Sequence, residues 1–232
     1  MHDRASRLAD NLARVRERIA TAASQSGRDP ASVTLVAVTK YADQAAADCL
    51  AQLGCKDLAE SRPQELWAKA AAAAPDVRWH LVGHLQRNKI RRTLPLVHLI
   101  HSVDSLRLLS ALHAEAEQLA RGLDVLLEVN ISGDKNKHGF APDSVELALA
   151  HAAQLQHVSI RGLMGMASLA GGHATAEHDF ARLRELRDRL TPLCPKDVSL
   201  AELSMGMSDD YEIAIRHGAT LVRIGSALFE GV

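Results

Sequence analysis

The stretch SVTLVAVTKYADQ, residues 32–44, sets an apolar run from Val33 to Val38 just before a lysine at position 40. A continuous β-branched and aliphatic run of this length reads as a strand buried on both faces, the kind found in parallel sheets. Comparable runs recur at 57–60, 78–82, 98–103, 125–131, 159–164, 201–205 and 221–224. Stretches rich in Ala, Leu, Glu and Arg separate them, near 44–53, 63–74, 88–94, 105–121, 143–154, 176–190 and 210–217. Eight strand–helix units in 232 residues predict a single (β/α)8 TIM barrel spanning 1–232, close to the usual length of about 250. A doubly wound open sheet is the alternative, but VTKYAD lacks the glycines that follow its first strand. An extra helix precedes the first strand, with Leu8, Leu12, Val15 and Ile19 at helical spacing. It is expected either to cover the barrel bottom or to fill a gap in the helical ring.

Composition narrows the function classes. The chain is 47% hydrophobic, with a net charge of −1 and 3% aromatic residues. Nucleic-acid binders show a basic excess or a base-stacking platform, so neither balance points to a nucleic-acid partner. Cys49, Cys55 and Cys194 form no CxxC pair, which fits a reducing cytoplasm better than a disulfide framework. No apolar run approaches the roughly 20 residues that cross a bilayer, and the charged N-terminus has no signal-peptide core. The expectation is a soluble, cytoplasmic protein with no membrane partner.

Barrel function collects where strands exit into βα loops. Lys40 stands at the first exit. The last two exits read LSMGMSDD, 203–210, and VRIGSALF, 222–229. Barrels commonly bind phosphate with the loops after strands seven and eight and a short helix N-terminus, which makes Ser204, Gly225 and Ser226 phosphate candidates. Helix capping by Ser208 and Ser226 is the plainer alternative. Lys40 then has three readings: a salt bridge, a phosphate contact, or an amine that condenses with an aldehyde on a phosphorylated ligand. Condensation needs the neutral amine, which a dry pocket and nearby cations such as Arg223 favour. Lys137 is placed near the mouth of the pocket, and Lys135 in a solvated loop.

His80 and His84 are four apart, and His98 and His101 three apart. Gly83 interrupts the first pair, and side chains three apart on a strand diverge. No carboxylate or cysteine is seen to complete a ligand set, so no metal is expected.

The motifs LVAVTKY, WHLVGHLQRNK, HSVDS, EVNISGDKNKHGF, IRGLMGMAS and LSMGMSDDYEIAIRHGATLVRIGSALF, in this order, resemble the pyridoxal phosphate homeostasis protein family. The resemblance covers essentially the whole chain. It implies a barrel like the N-terminal domain of alanine racemase and pyridoxal 5'-phosphate (PLP) as cofactor. It makes Lys40 the Schiff-base lysine, gives the phosphate to Ser204, Gly225 and Ser226, faces Arg223 to the pyridine nitrogen, and sets Met164 or Met166 near the ring. Where the family has Gly-Glu-Asn after strand two, this chain has Ala59-Glu60-Ser61, so Ser61 stands in for a cofactor-side asparagine.

An arginine opposite the pyridine nitrogen weakens the ring as an electron sink. A racemase also needs an opposed acid/base. Tyr41 is expected to point away from the pocket and Tyr211 to lie on the helix after the phosphate loop. The implied role is therefore intracellular PLP homeostasis, by storage, buffering or delivery to apo PLP-dependent enzymes, as a monomer without efficient catalysis. A PLP-dependent amino-acid racemase or lyase is one alternative. A Schiff-base aldolase acting on a phosphorylated sugar is another.

Overall fold

The computed structural model describes residues 2–134, 137–168, 171–195 and 198–232. Eight parallel strands close into a barrel in the order of the chain: β1 (Thr34–Val38), β2 (Asp57–Glu60), β3 (Arg78–Leu81), β4 (Leu99–Val103), β5 (Leu123–Val129), β6 (Val158–Gly165), β7 (Glu202–Ser204) and β8 (Leu221–Ile224). Closure runs through β1 and β8, which pair Thr34 with Leu221 and Ala37 with Ile224. The open-sheet alternative is thereby excluded. Strand ends differ from the sequence expectation by two residues or fewer, the largest shift being that of β5, which begins and ends two residues earlier, at Leu123 and Val129.

Two apolar layers hold the barrel together. One fills its interior with Val36, Ala59, Leu99, Leu126, Met164 and Leu221. The other packs the outer faces of the strands against the helices. Those helices are α2 (Gln44–Gln52), α3 (Pro63–Ala72), α4 (Ile90–Thr93), α5 (Leu106–Gln118), α6 (Val145–Ala152), α7 (Gly172–Leu190) and α8 (Tyr211–Arg216), preceded by α1 (His2–Gln25). The segment expected as one helix at 88–94 is instead a single α-helical turn between two 3-10 turns. Pro95 lies in the second of these, where its ring cannot continue an α-helix.

Helix α1 settles the choice left open by its sequence. Leu8, Leu12, Val15 and Ile19 are buried where it packs between α8 and α2. Arg18 grips Glu212 of α8 through two bonds of 2.9 and 2.8 Å, and Arg4 pairs with Asp43 ahead of α2 at 2.7 Å. The Asn11 amide donates to the carbonyls of Leu228 and Glu230 at 3.0 Å. The helix therefore fills the gap in the ring that a long helix after β8 would occupy. Among the described residues, no helix is long and apolar enough to cross a membrane.

Candidate functional site

A cavity of about 350 Å³ opens at the C-terminal ends of the strands. Pockets for small molecules span about 300–1,000 Å³, so it accommodates one cofactor-sized ligand. Lys40, Ser61, Met164, Met166, Arg223, Gly225 and Ser226 all line it. Those residues come from the C-terminal ends of four strands, β1, β2, β6 and β8, which only closure of the barrel brings together. Met164 serves two purposes, since it is also part of the interior apolar cluster.

Ser204 is the exception. It does not line the cavity but is fully buried beneath it, with its hydroxyl 2.8 Å from His101 Nδ1 and accepting from Arg223 Nη1 at 2.7 Å. The serine at the cavity is Ser208, four residues further on. Its Oγ accepts from the backbone N–H groups of Gly225 and Ala227, both at 3.3 Å. Two N–H donors converging on one oxygen at a cavity wall is the arrangement an anionic oxygen requires. Gly206, at φ +91°, makes the turn between Ser204 and Ser208, and a Cβ there would lie 2.8 Å from Tyr211 Cα.

Lys40 is positioned by the residue before it. The Thr39 amide donates to Ala59 O at 2.9 Å, and its hydroxyl donates to Glu60 Oε1 at 2.6 Å. Lys69, on α3, donates from Nζ to the same Glu60 Oε1 at 2.6 Å and to Thr39 O at 2.7 Å. Thr39, Glu60 and Lys69 are all buried. This charged cluster anchors the turn from which the Lys40 side chain emerges, and Lys40 itself is exposed at the mouth. Gly83 lets the next exit approach: a Cβ there would come within 2.1 Å of Ser61 O.

Two expectations about nearby side chains need correction. Tyr41 lines the cavity rim rather than pointing away. The residue is 91% exposed and its ring centroid lies 4.9 Å from Lys40 Nζ, because the chain turns sharply after β1 and does not keep strand alternation. Lys137 does not reach the cavity, since its Nζ donates to Ala167 O at 2.8 Å and ties the loop after β5 to the end of β6. Lys135 lies outside the described residues. Tyr211 begins α8 as expected and is buried away from the cavity.

Beneath the cavity runs a polar chain that the sequence did not reveal. Arg223 Nη1 donates to Ser204, whose hydroxyl meets His101 Nδ1. His101 Nε2 lies 2.9 Å from His80 Nδ1, and His80 Nε2 lies 3.0 Å from Asp57 Oδ1. Asp57 also accepts two bonds from Arg78, at 2.7 and 2.5 Å. With both imidazoles neutral and carrying their proton on Nε2, every link has one donor and one acceptor, and the chain is polarised from Arg223 to Asp57. Burial pushes the Asp57 carboxyl up, but the bonds from His80 and Arg78 outweigh it and hold the group well below the usual carboxylate range. Arg223 is lowered to about 10, first by burial, with Asp210 and Glu128 opposing the fall, so it stays charged at neutral pH. His98 and His101 do not diverge: both rings approach His80, at centroid separations of 5.6 and 5.1 Å. His98 precedes β4, and the strand register shifts between Ile100 and Val103.

Burial above all, with the positive charge of Arg223 adding to it, holds His101 well below the ordinary histidine value. The unfolded chain therefore takes up this proton first, so stability is full above about pH 6.5 and falls as pH drops below it. The slope reaches about 1.4 kcal/mol per pH unit for this one group. Asp57 acts in a separate window, below about pH 4, where its stabilising charge is lost. Urea midpoints across the histidine range should fall on acidification, and His101→Gln should flatten that fall. A wild-type midpoint that does not change there would contradict the buried neutral assignment.

The chain matches the family described as alanine racemase, N-terminal domain, over residues 7–231. It is 40% identical over 225 residues to the pyridoxal phosphate homeostasis protein of Pseudomonas aeruginosa, covering 97% of this chain and 95% of that one. The protein of the same name from Escherichia coli is 32% identical over 226 residues, covering 96% and 95%. Among solved structures, PipY of Synechococcus elongatus with PLP bound superposes at a TM-score of 0.84 with 37% identity, covering 96% of this chain and 99% of PipY. The chain thus belongs to the alanine racemase N-terminal domain family and, within it, to the pyridoxal phosphate homeostasis proteins.

Proposed function

We propose that this chain binds PLP in the cavity at the barrel mouth and holds it for intracellular homeostasis, by storage, buffering or delivery, without efficient turnover. The observation that carries the reading is one cavity lined by a primary amine, Lys40, and by Ser208, Gly225 and Ser226, where the N–H groups of Gly225 and Ala227 converge on Ser208 Oγ. The names of the relatives and the PLP held by PipY support it.

Bound PLP supplies an aldehyde that condenses with a primary amine, losing water, and a ring that can withdraw electrons. Lys40 offers that amine. The N–H groups of Gly225 and Ala227, with Ser208 and the Ser226 hydroxyl, would hold the phosphate. Arg223 would meet the ring nitrogen as a donor fixed by the chain to Asp57, which disfavours protonation of that nitrogen. Met164 and Met166 provide apolar contact, and Ser61 takes the place of the family's asparagine.

The same lining argues for a carrier over a racemase. Racemisation needs a second acid/base facing the ligand from the side opposite the lysine. Tyr41 lies against Lys40 itself, and Tyr211 is buried with its hydroxyl unpartnered, outside the cavity. The cavity is built within one chain, which fits a monomer that hands PLP to apo forms of PLP-dependent enzymes. Free Cys49, Cys55 and Cys194 fit a reducing cytoplasm.

Incubation of the PLP-loaded protein with L-alanine or L-serine should leave their optical purity unchanged, while an added apo-transaminase gains activity. Racemisation at an ordinary enzymatic turnover, about 1–10³ s⁻¹, would overturn the carrier reading. A visible absorbance from bound PLP separates both readings from a sugar-phosphate aldolase.

A further inference from the structure

Three residues outside the cavity lining meet on neighbouring loops of the same barrel face. His84 follows β3, Asp104 directly follows β4, and His138 lies in the loop after β5. Their ligand-type atoms lie within 4.8 Å of one another. His84 Nδ1 is 3.1 Å from Asp104 Oδ2, and His138 Nδ1 is 3.8 Å from the same oxygen. The two imidazoles stack, with centroids 4.7 Å apart and planes at 20°. The other carboxylate oxygen of Asp104 accepts from Ser105 Oγ at 3.0 Å, which orients Oδ2 toward the histidines.

We propose that His84, Asp104 and His138 form a three-ligand site for a borderline divalent transition ion, of which Zn2+ is the representative. Geometry supports this. With metal–ligand bonds of about 2.0–2.2 Å, tetrahedral ligand atoms are separated by about 3.3–3.6 Å, and the two measured edges bracket that range. Two nitrogens and one carboxylate oxygen suit a borderline ion, whereas Mg2+ and Ca2+ prefer all-oxygen shells. A cation also resolves the arrangement better than a plain ion pair. Only His84 Nδ1 lies within hydrogen-bond distance of Asp104 Oδ2, while His138 Nδ1, at 3.8 Å, lies beyond it; a cation, met by a rotation of the two stacked rings, would engage the lone pairs of both. Three protein ligands leave a fourth position open to water.

The ion would also bear on the cofactor cavity. Glu128, buried on β5, interacts electrostatically with Asp104, His138 and His84 and also with Arg223. Positive charge at the rim therefore acts on a carboxylate that also interacts electrostatically with Arg223. The sequence carries no spacing signal for this site, because its ligands come from three separate loops.

The test is calorimetric titration of Zn2+ into chelator-washed, PLP-loaded protein at neutral pH. It compares wild type with His84→Ala, Asp104→Asn and His138→Ala, and uses His113→Ala as a control. Wild type and control should each take up a single ion with the same affinity, and the three site variants should bind about tenfold more weakly or worse. PLP absorbance and the melting temperature in chelator should persist in all five, which separates lost ligands from lost folding. As a second readout, Co2+ should give the wild type the intense visible bands of tetrahedral coordination, absent from His84→Ala. No Zn2+ uptake by the wild type, or uptake equal across all five proteins, would overturn the proposal; equal uptake would place the ion on the cofactor, the thiols or other histidines.

Discussion

Lys40→Ala is expected to remove the visible absorbance of the PLP-loaded protein and to weaken retention of PLP through desalting about tenfold or more, equivalent to about 1.4 kcal/mol or more. The proposed phosphate contacts at Ser208, Gly225, Ser226 and Ala227 are untouched by this change, so residual binding through the anionic tail should remain and should be displaced by inorganic phosphate. The fold should be unaffected, because the Lys40 side chain is exposed and its turn is held by Thr39, Glu60 and Lys69. Absorbance spectra with and without added phosphate, beside a thermal melt, check all three statements. A variant that keeps the wild-type spectrum would place the covalent link elsewhere.

Lys69→Met is expected to be the most destabilising of the substitutions considered, at about 3–5 kcal/mol. The Lys69–Glu60 pair is buried, with side chains 9% and 0% exposed, and one Glu60 oxygen already has no partner. Removing the ammonium leaves a carboxylate in the interior without compensation and frees the Thr39 carbonyl as well. Replacing both partners, as in Glu60→Gln with Lys69→Met, should recover part of the loss, because the uncompensated charge is then gone. Denaturant midpoints of the two single variants and the double variant measure this. In the surviving folded fraction of Lys69→Met, PLP affinity should fall too, since the turn that presents Lys40 loses its anchor. A single variant as stable as the wild type would show that the pair does not hold this turn.

The architecture was legible because its signal is local. Each strand is a short aliphatic run, and alternation with helical stretches admits few arrangements apart from a parallel barrel. Lys40, Arg223, Gly225 and Ser226 were legible for a related reason: strand exits are where a barrel places its chemistry. Ser204 was not, because it ends β7 with its side chain turned into the barrel, and the turn through Gly206 gives the cavity position to Ser208. Tyr41 was misplaced by extending strand alternation past the last residue of β1. The chain from Arg223 to Asp57 joins β8, β7, β4, β3 and β2, and the cluster of His84, Asp104 and His138 joins three loops. Neither leaves a spacing in the sequence, since both exist only after closure sets distant residues side by side. The Lys69–Glu60 pair was hidden likewise, because a helical lysine reads as solvated until the packing of α3 buries it.

The most direct test of the account is borohydride reduction of the PLP-loaded protein, followed by digestion and peptide mass spectrometry. The account predicts one modified peptide, carrying the reduced pyridoxyl group on Lys40, with competing phosphate lowering its yield. A pyridoxyl group confined to another lysine, or protein that takes up no PLP at all, would contradict it.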